Sequence, residues 1–146
     1  MMKKTAIIVS GYFNPLHKGH IEYFHKSKSH GDLLFVIINN DHQRKLKNSK
    51  EFMNEQERML IINELEIVDK VFLSKDKDRS VCLTLRHLYE DYKNKYKIVF
   101  ANGGDQDNTL IPEAKICRLL GITLIDGLGK KIQSSSWILN KKNENR

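Results

Sequence analysis

Leu33-Leu34-Phe35-Val36-Ile37-Ile38 is a run of six apolar residues with no polar interruption. A strand with one wet face alternates apolar and polar side chains. An unbroken run of strand length therefore belongs in a sheet covered on both faces. Four further short apolar runs share this character: Ala6 to Val9, Val71 to Leu73, Ile98 to Ala101 and Ile122 to Ile125. Between them lie amphipathic stretches of helical spacing. One runs from about Gly19 to Ser29, with Ile21, Tyr23 and Phe24 on one face and His30-Gly31 as the stop. A second starts at Asn54 and Glu57, a capping-box-like pair, and continues to about Leu65. Val81, Leu85, Leu88 and Tyr92 mark a third, and Pro112 with the stop Gly121 a fourth. Ser134 caps a final helix, and within the polar stretch Asn39 to Lys50 the part from Arg44 to Lys50 reads as a solvated loop. Strand and helix thus alternate about five times, which predicts a five-stranded parallel sheet with helices on both faces, an α/β/α arrangement of three layers.

The 146 residues suit one domain, assigned to residues 1–139, with an all-polar tail over 140–146. Apolar residues at 40% and charged residues at 29% describe a globular rather than a disordered chain. No apolar run approaches the ~18 residues of a membrane span, and the run after Met1-Met2-Lys3-Lys4 is too short for a secretion signal. Cys82 and Cys117 make neither a disulfide framework nor a zinc knuckle. They read as reduced core residues on helices, and the location expected is cytoplasmic.

Charge narrows the partner. The 25 Lys and Arg exceed the 18 Asp and Glu by seven, which suggests an anionic ligand. In a sheet of this kind ligands bind beyond the carboxyl ends of the strands. Those ends carry Ser10-Gly11-Tyr12-Phe13, Asn39-Asn40-Asp41, Gly103-Gly104-Asp105 and Gly127-Leu128-Gly129. The first of them continues as Asn14-Pro15-Leu16-His17-Lys18-Gly19-His20, which is neither G-x-G-x-x-G nor a P-loop. Gly11 is expected to let the backbone approach a ligand. His17 and His20 flank Gly19 at a helix start, where free N–H groups and the helix dipole favour an anion such as phosphate.

Gly-x-Phe-x-x-x-His-x-Gly-His after a first strand resembles the signature of the HxGH nucleotidyltransferases, and in particular of the cytidylyltransferase-like proteins. The likeness runs from Ser10 to about Ile138. It implies a Rossmann-like fold and transfer of a nucleotidyl group to a small phosphorylated alcohol or sugar, with release of pyrophosphate. CTP is the first donor it suggests and ATP the second. The resemblance assigns catalysis to His17, His20 and Lys47. It places the nucleotide against Gly11, Tyr12, Phe13, Gly104, Asp105, Ser134, Ser135 and Ser136, with Asn14, Asp41 and Arg58 as secondary candidates. It also implies Mg²⁺ held mainly by the nucleotide's phosphates, no protein metal site, and a homodimer. One departure is the stretch Gly129-Lys130-Lys131-Ile132-Gln133-Ser134, which lacks the arginine that small glycerol-phosphate cytidylyltransferases carry there. The Gly-Gly-Asp loop also resembles that of sugar-phosphate adenylyltransferases, and Phe13-Asn14-Pro15 that of coenzyme-pathway adenylyltransferases. An adenylyltransferase acting on a sugar phosphate or a coenzyme precursor is the alternative within the class.

A reading of another class is a basic nucleic-acid-binding module. Tyr89, Tyr92 and Tyr96 interleave with Lys93, Lys95 and Lys97, as in surfaces that stack and grip single strands. Helical spacing accounts for the tyrosines more cheaply. His17 with His20 as a zinc site lacks the further ligands that zinc requires.

Overall fold

A computed structural model describes residues 3–103 and 111–125. The chain alternates through β1 (Lys4–Gly11), α1 (Lys18–Lys28), β2 (Leu33–Ile38), α2 (Asp41–Leu46), α3 (Glu55–Asn63), β3 (Lys70–Leu73), α4 (Cys82–Tyr92), β4 (Tyr96–Ala101), α5 (Pro112–Leu120) and β5 (Thr123–Ile125). All five strands are parallel, in the order β3-β2-β1-β4-β5. The first half of the chain builds outward from β1 in one direction and the second half in the other. The crevice at this reversal, between the ends of β1 and β4, is where a doubly wound sheet takes its ligand.

Two cores account for the unbroken apolar runs. Ala6 and Ile8 of β1, Phe35 and Ile37 of β2, and Ile98 and Phe100 of β4 face α4 and α5 with Leu85, Leu88 and Cys117. Ile7 and Val9, Leu34, Val36 and Ile38, and Val99 and Ala101 face the opposite way, against Tyr23 and Phe24 of α1 and Ile62 of α3. Side chains alternate faces along a strand, so a central strand between two helical layers must be apolar at every position. Each fully buried aliphatic side chain contributes about 1.5–3 kcal/mol relative to an exposed one. Tyr92 and Tyr96 belong to this packing. Their rings lie 5.3 and 5.7 Å from that of Phe35, so helical and strand packing accounts for them.

Helix α2 lies within the stretch Asn39 to Lys50 and takes in Arg44 to Leu46, the start of the expected loop. Asn40 accepts the N–H of Gln43, and Gln43 Oε1 accepts the N–H of Asn40, a reciprocal cap that starts the helix. Gln43 is fully buried, and its Nε2 donates to the carbonyls of Asp78 and Ser80, both at 2.7 Å. A short polar helix is thereby held by side-chain bonds instead of an apolar stripe. The head of α4 is capped from a distance as well: Asp76, buried, accepts the N–H groups of Leu83 and Thr84. Glu113 of α5 accepts the N–H of Val81. Gly121 closes α5 in the left-handed region at φ 80°, as the sequence predicts. Among the described residues no helix is long and apolar enough to cross a membrane.

Candidate active site

The turn after β1 sends successive side chains to different sides. Phe13 adopts φ 52° and buries its ring against Phe24, at 5.3 Å between centroids, and edge-on beneath His20, at 4.9 Å and 82°. A β-carbon at Gly11 would lie 2.8 Å from the Phe13 ring. The missing side chain of Gly11 makes room for the Phe13 ring. Phe13 in turn packs its ring edge-on against that of His20.

His17 is the N-cap of α1. Its Nδ1 accepts the N–H of Gly19 at 3.0 Å, and Nδ1 of His20 accepts the N–H of His17 at 3.1 Å. The two rings stack with centroids 3.9 Å apart and planes at 26°. A neutral imidazole that accepts at Nδ1 carries its proton on Nε2. Both histidines therefore offer an Nε2–H donor at a helix N-terminus whose first turn holds no acidic residue. Burial, with His17 adding to it, lowers the pKa of His20 to about 4, so this residue is neutral at physiological pH. The neighbouring Lys18 is exposed and pairs with Glu22 at 3.7 Å.

Tyr12 points toward α2 and the segment before α4. Lys47, the C-cap of α2, places its ammonium 4.4 Å from the centre of the Tyr12 ring. Arg79 lines the same cavity as Tyr12, whose hydroxyl donates to the Gln43 carbonyl at 3.5 Å. Burial raises the pKa of that hydroxyl, against the opposing pull of Arg79. Sequence reasoning missed Arg79 and Gln43. Arg79 lies just past a strand end and just before a helix, a position that could have drawn attention to it.

The three secondary candidates have polar atoms engaged with the protein itself. Arg58 is wholly buried. It donates to the carbonyls of Met53, Tyr12 and Asn39 and to Asp41 Oδ1, the last two at 2.7 Å. It is a brace joining the ends of β1 and β2. Asp41 receives Arg58 on one oxygen and the N–H of Glu55 on the other, while its own N–H donates to Glu55 Oε1. Asn14 donates to the Lys50 carbonyl and accepts the N–H groups of Phe52 and Met53, pinning the segment beyond Lys47. Gly104, Asp105 and Ser134 to Ser136 lie outside the described residues, as do Lys130, Lys131 and the tail. The neighbouring Gly103 is described: a β-carbon there would meet the Tyr23 ring at 2.6 Å. Tyr23 also donates its hydroxyl to the Ala101 carbonyl, fixing α1 to the end of β4.

The doubly wound parallel sheet thus carries paired imidazoles at its first helix, and Lys47 and Arg79 line a cavity beside Tyr12. The sequence profile of the cytidylyltransferase-like family matches residues 8–138, and the chain belongs to that family. It is a nucleotidyltransferase. FAD synthase of Picrophilus torridus is 36% identical over 139 residues, which cover 90% of this chain and 91% of that protein. The bifunctional protein HldE of Wolinella succinogenes is 31% identical over 140 residues, but the chain spans only 28% of its length. Among solved structures, the lipopolysaccharide core biosynthesis protein of Thermoplasma volcanium superposes with a TM-score of 0.61 at 25% identity, covering 84% of this chain and 93% of that one.

Proposed function

We propose that the chain is an adenylyltransferase, joining the AMP portion of ATP to the phosphate of a small phosphorylated acceptor and releasing pyrophosphate. The observation that carries this reading is the stacked pair His17 and His20, each with Nδ1 occupied by a backbone N–H and Nε2–H left for a ligand. The choice of ATP over CTP rests on the likeness to an FAD synthase across nearly the whole of both chains. FAD is flavin mononucleotide joined through its phosphate to AMP, so flavin mononucleotide is the first acceptor proposed. A sugar phosphate is the second, supported by the likeness to the lipopolysaccharide core protein.

A phosphate oxygen of the acceptor forms a bond to the α-phosphorus as the bond to the α–β bridging oxygen breaks. Pyrophosphate leaves with that electron pair, and no covalent enzyme intermediate is needed. Negative charge builds on the bridging and equatorial oxygens, and fixed donors aimed at those oxygens lower the barrier. The Nε2–H groups of His17 and His20 and the head of α1 supply such donors, and Lys47 supplies positive charge. His20 donates as a neutral group, so its proton remains on the enzyme throughout. The resemblance also implies Mg²⁺. No trio of His, Cys, Asp or Glu among the described residues could hold a metal ion, and the nearby Asp41 is engaged by Arg58. We place that ion on the nucleotide's phosphates. Such an ion would offset part of the phosphate charge.

Pyrophosphate release measured with ATP, CTP, GTP and UTP against flavin mononucleotide, a hexose 1-phosphate and glycerol 3-phosphate tests the proposal. ATP with flavin mononucleotide is expected to turn over fastest. Faster turnover with CTP would overturn the choice of base. Absence of release with every pair, together with salt-sensitive binding of single-stranded RNA that survives loss of both histidines, would support the nucleic-acid reading instead.

A further inference from the structure

The turn after β1 places two consecutive aromatic rings against two different polar groups. Phe13 packs edge-on against His20 at 4.9 Å, and Tyr12 carries the ammonium of Lys47 on its face, 4.4 Å from the ring centre. Phe13 is buried, whereas Tyr12 is half-buried and Lys47 exposed. Lys47 is the C-cap of α2, so its ammonium ends a flexible side chain on a short helix. Other cations nearby are engaged by oxygen atoms. Arg44, on the same helix, donates to the Ser49 carbonyl and pairs with Glu51 at 3.4 Å, and Lys18 pairs with Glu22 at 3.7 Å. Among the described residues no carboxylate or carbonyl engages the Lys47 ammonium, and the Tyr12 ring does. Tyr12 is itself fixed through its backbone, because its carbonyl accepts Arg58 Nη1 at 2.8 Å.

We propose that Tyr12 is a positioning residue for Lys47: the ring face holds the ammonium by a cation–π contact and leaves its charge and N–H donors free for the nucleotide's phosphates. The proposal rests on the role given to Lys47 in the adenylyltransferase reading and deepens it. The physical reason lies in what an aromatic partner leaves unspent. A lysine side chain has much rotamer freedom, and ordering it only when phosphate arrives weakens the encounter. A carboxylate would order it as well, but would neutralise the charge and compete with phosphate oxygens for the N–H groups. The quadrupole of a ring attracts the cation without bringing a net negative charge. This role uses the face of Tyr12 and not its hydroxyl, whose bond to the Gln43 carbonyl is long at 3.5 Å. One turn thereby sets two groups of different kinds, Phe13 the ring of a neutral donor and Tyr12 the place of a charge.

Wild-type protein, Tyr12→Leu, Tyr12→Phe, Lys47→Met and the double variant Tyr12→Leu with Lys47→Met are compared in pyrophosphate release from ATP. Tyr12→Leu is expected to lower kcat/KM about 3–30-fold, the range that a cation–π contact spans. Tyr12→Phe keeps the ring and should recover most of that loss. Phenylalanines of increasing ring fluorination at position 12 should lower activity stepwise, as the face loses its negative potential. In the Lys47→Met background, Tyr12→Leu should cost less than about 2-fold, whereas a side chain serving only the packing of the turn would cost the same with or without Lys47. The contact also has a readout apart from activity. The methylene protons beside the Lys47 ammonium, assigned by their loss in Lys47→Met, should be shifted upfield by the ring in wild type and Tyr12→Phe but not in Tyr12→Leu. Additivity in the cycle, a Tyr12→Phe variant as impaired as Tyr12→Leu, indifference to fluorination, unshifted Lys47 methylene protons, or wild-type turnover in Lys47→Met would each overturn the proposal. If the wild type turns over no nucleotide with any acceptor, the adenylyltransferase reading fails by itself. Calorimetric titration with pyrophosphate then decides: weaker binding to Tyr12→Leu but not to Tyr12→Phe supports the positioning role, and equal binding to all three proteins overturns it. Tyr12 is only half-buried, so thermal midpoints close to that of the wild type are expected of the variants.

Discussion

His20 Nδ1 accepts the backbone N–H of His17 at 3.1 Å, so one histidine of the pair holds in place the chain that carries the other. The pair also fixes its own tautomers, because both Nδ1 atoms face backbone donors. Removing His20 therefore takes away a donor and loosens its partner. His20→Ala is expected to lower turnover by about 10²–10³, the usual cost of losing one positioned transition-state donor. His20→Asn, which keeps a hydrogen-bonding side chain of similar reach, should retain more activity than Ala. Rates within about 3-fold of wild type in a folded His20→Ala protein would remove His20 from the chemistry.

The same residue couples stability to pH. Its pKa is lowered to about 4 by burial and by His17, against 6.5 in an unfolded chain. Between those values the unfolded state binds a proton that the folded state does not, so stability rises with pH. This contribution is complete above about pH 6.5 and drains away as the pH falls toward about 4. Urea midpoints recorded from about pH 4 to about pH 7 should show the rise, and His20→Asn should flatten part of it. An identical slope in the variant would contradict the assignment.

Arg58 donates to acceptors on three separate segments while wholly buried. Arg58→Met fills similar volume but leaves the Tyr12 and Asn39 carbonyls without a donor and Asp41 without its cation. Breaking a buried ionic network typically costs about 3–5 kcal/mol. For a chain of this size that corresponds to a fall in thermal midpoint on the order of 10 °C. A fall of about 2 °C or less would show that the brace is dispensable.

Gly11→Ala places a β-carbon 2.8 Å from the Phe13 ring, which supports His20. Overpacking of this kind costs about 1–3 kcal/mol, and displacement of Phe13 should lower turnover as well. Adding Phe13→Leu to Gly11→Ala should recover stability beyond the sum of the single changes. Strict additivity in that double-mutant cycle would mean that the two residues do not interact.

The sheet was legible because an apolar run free of polar residues fits few environments besides a strand covered on both faces, and all five predicted strands form. The central strand β1 extends beyond Ala6 to Val9, since neighbours on both sides continue its ladder to Lys4 and Gly11. The pairing of His17 with His20 was also legible, because residues three apart on a helix start share a face. Helix α2 was not, since it lacks an apolar stripe and depends on Asn40 and Gln43 meeting partners roughly 35 residues away. Nor was the fate of Arg58: at its position on α3 it resembles any surface arginine, and only the convergence of three backbone carbonyls draws it inside. Gly11 illustrates a further limit, because a glycine's empty space can admit a ligand or a neighbouring ring with the same local sequence.

The Gln43 bonds have a consequence for how such a site can change. Gln43 grips the segment after β3 through the carbonyls of Asp78 and Ser80, groups that every residue type possesses. The side chain of Arg79, held between those two anchors, takes no part in the grip. Substitutions there leave both anchors in place, so the backbone keeps its path. A segment fastened through its main-chain atoms can exchange side chains without first loosening its frame.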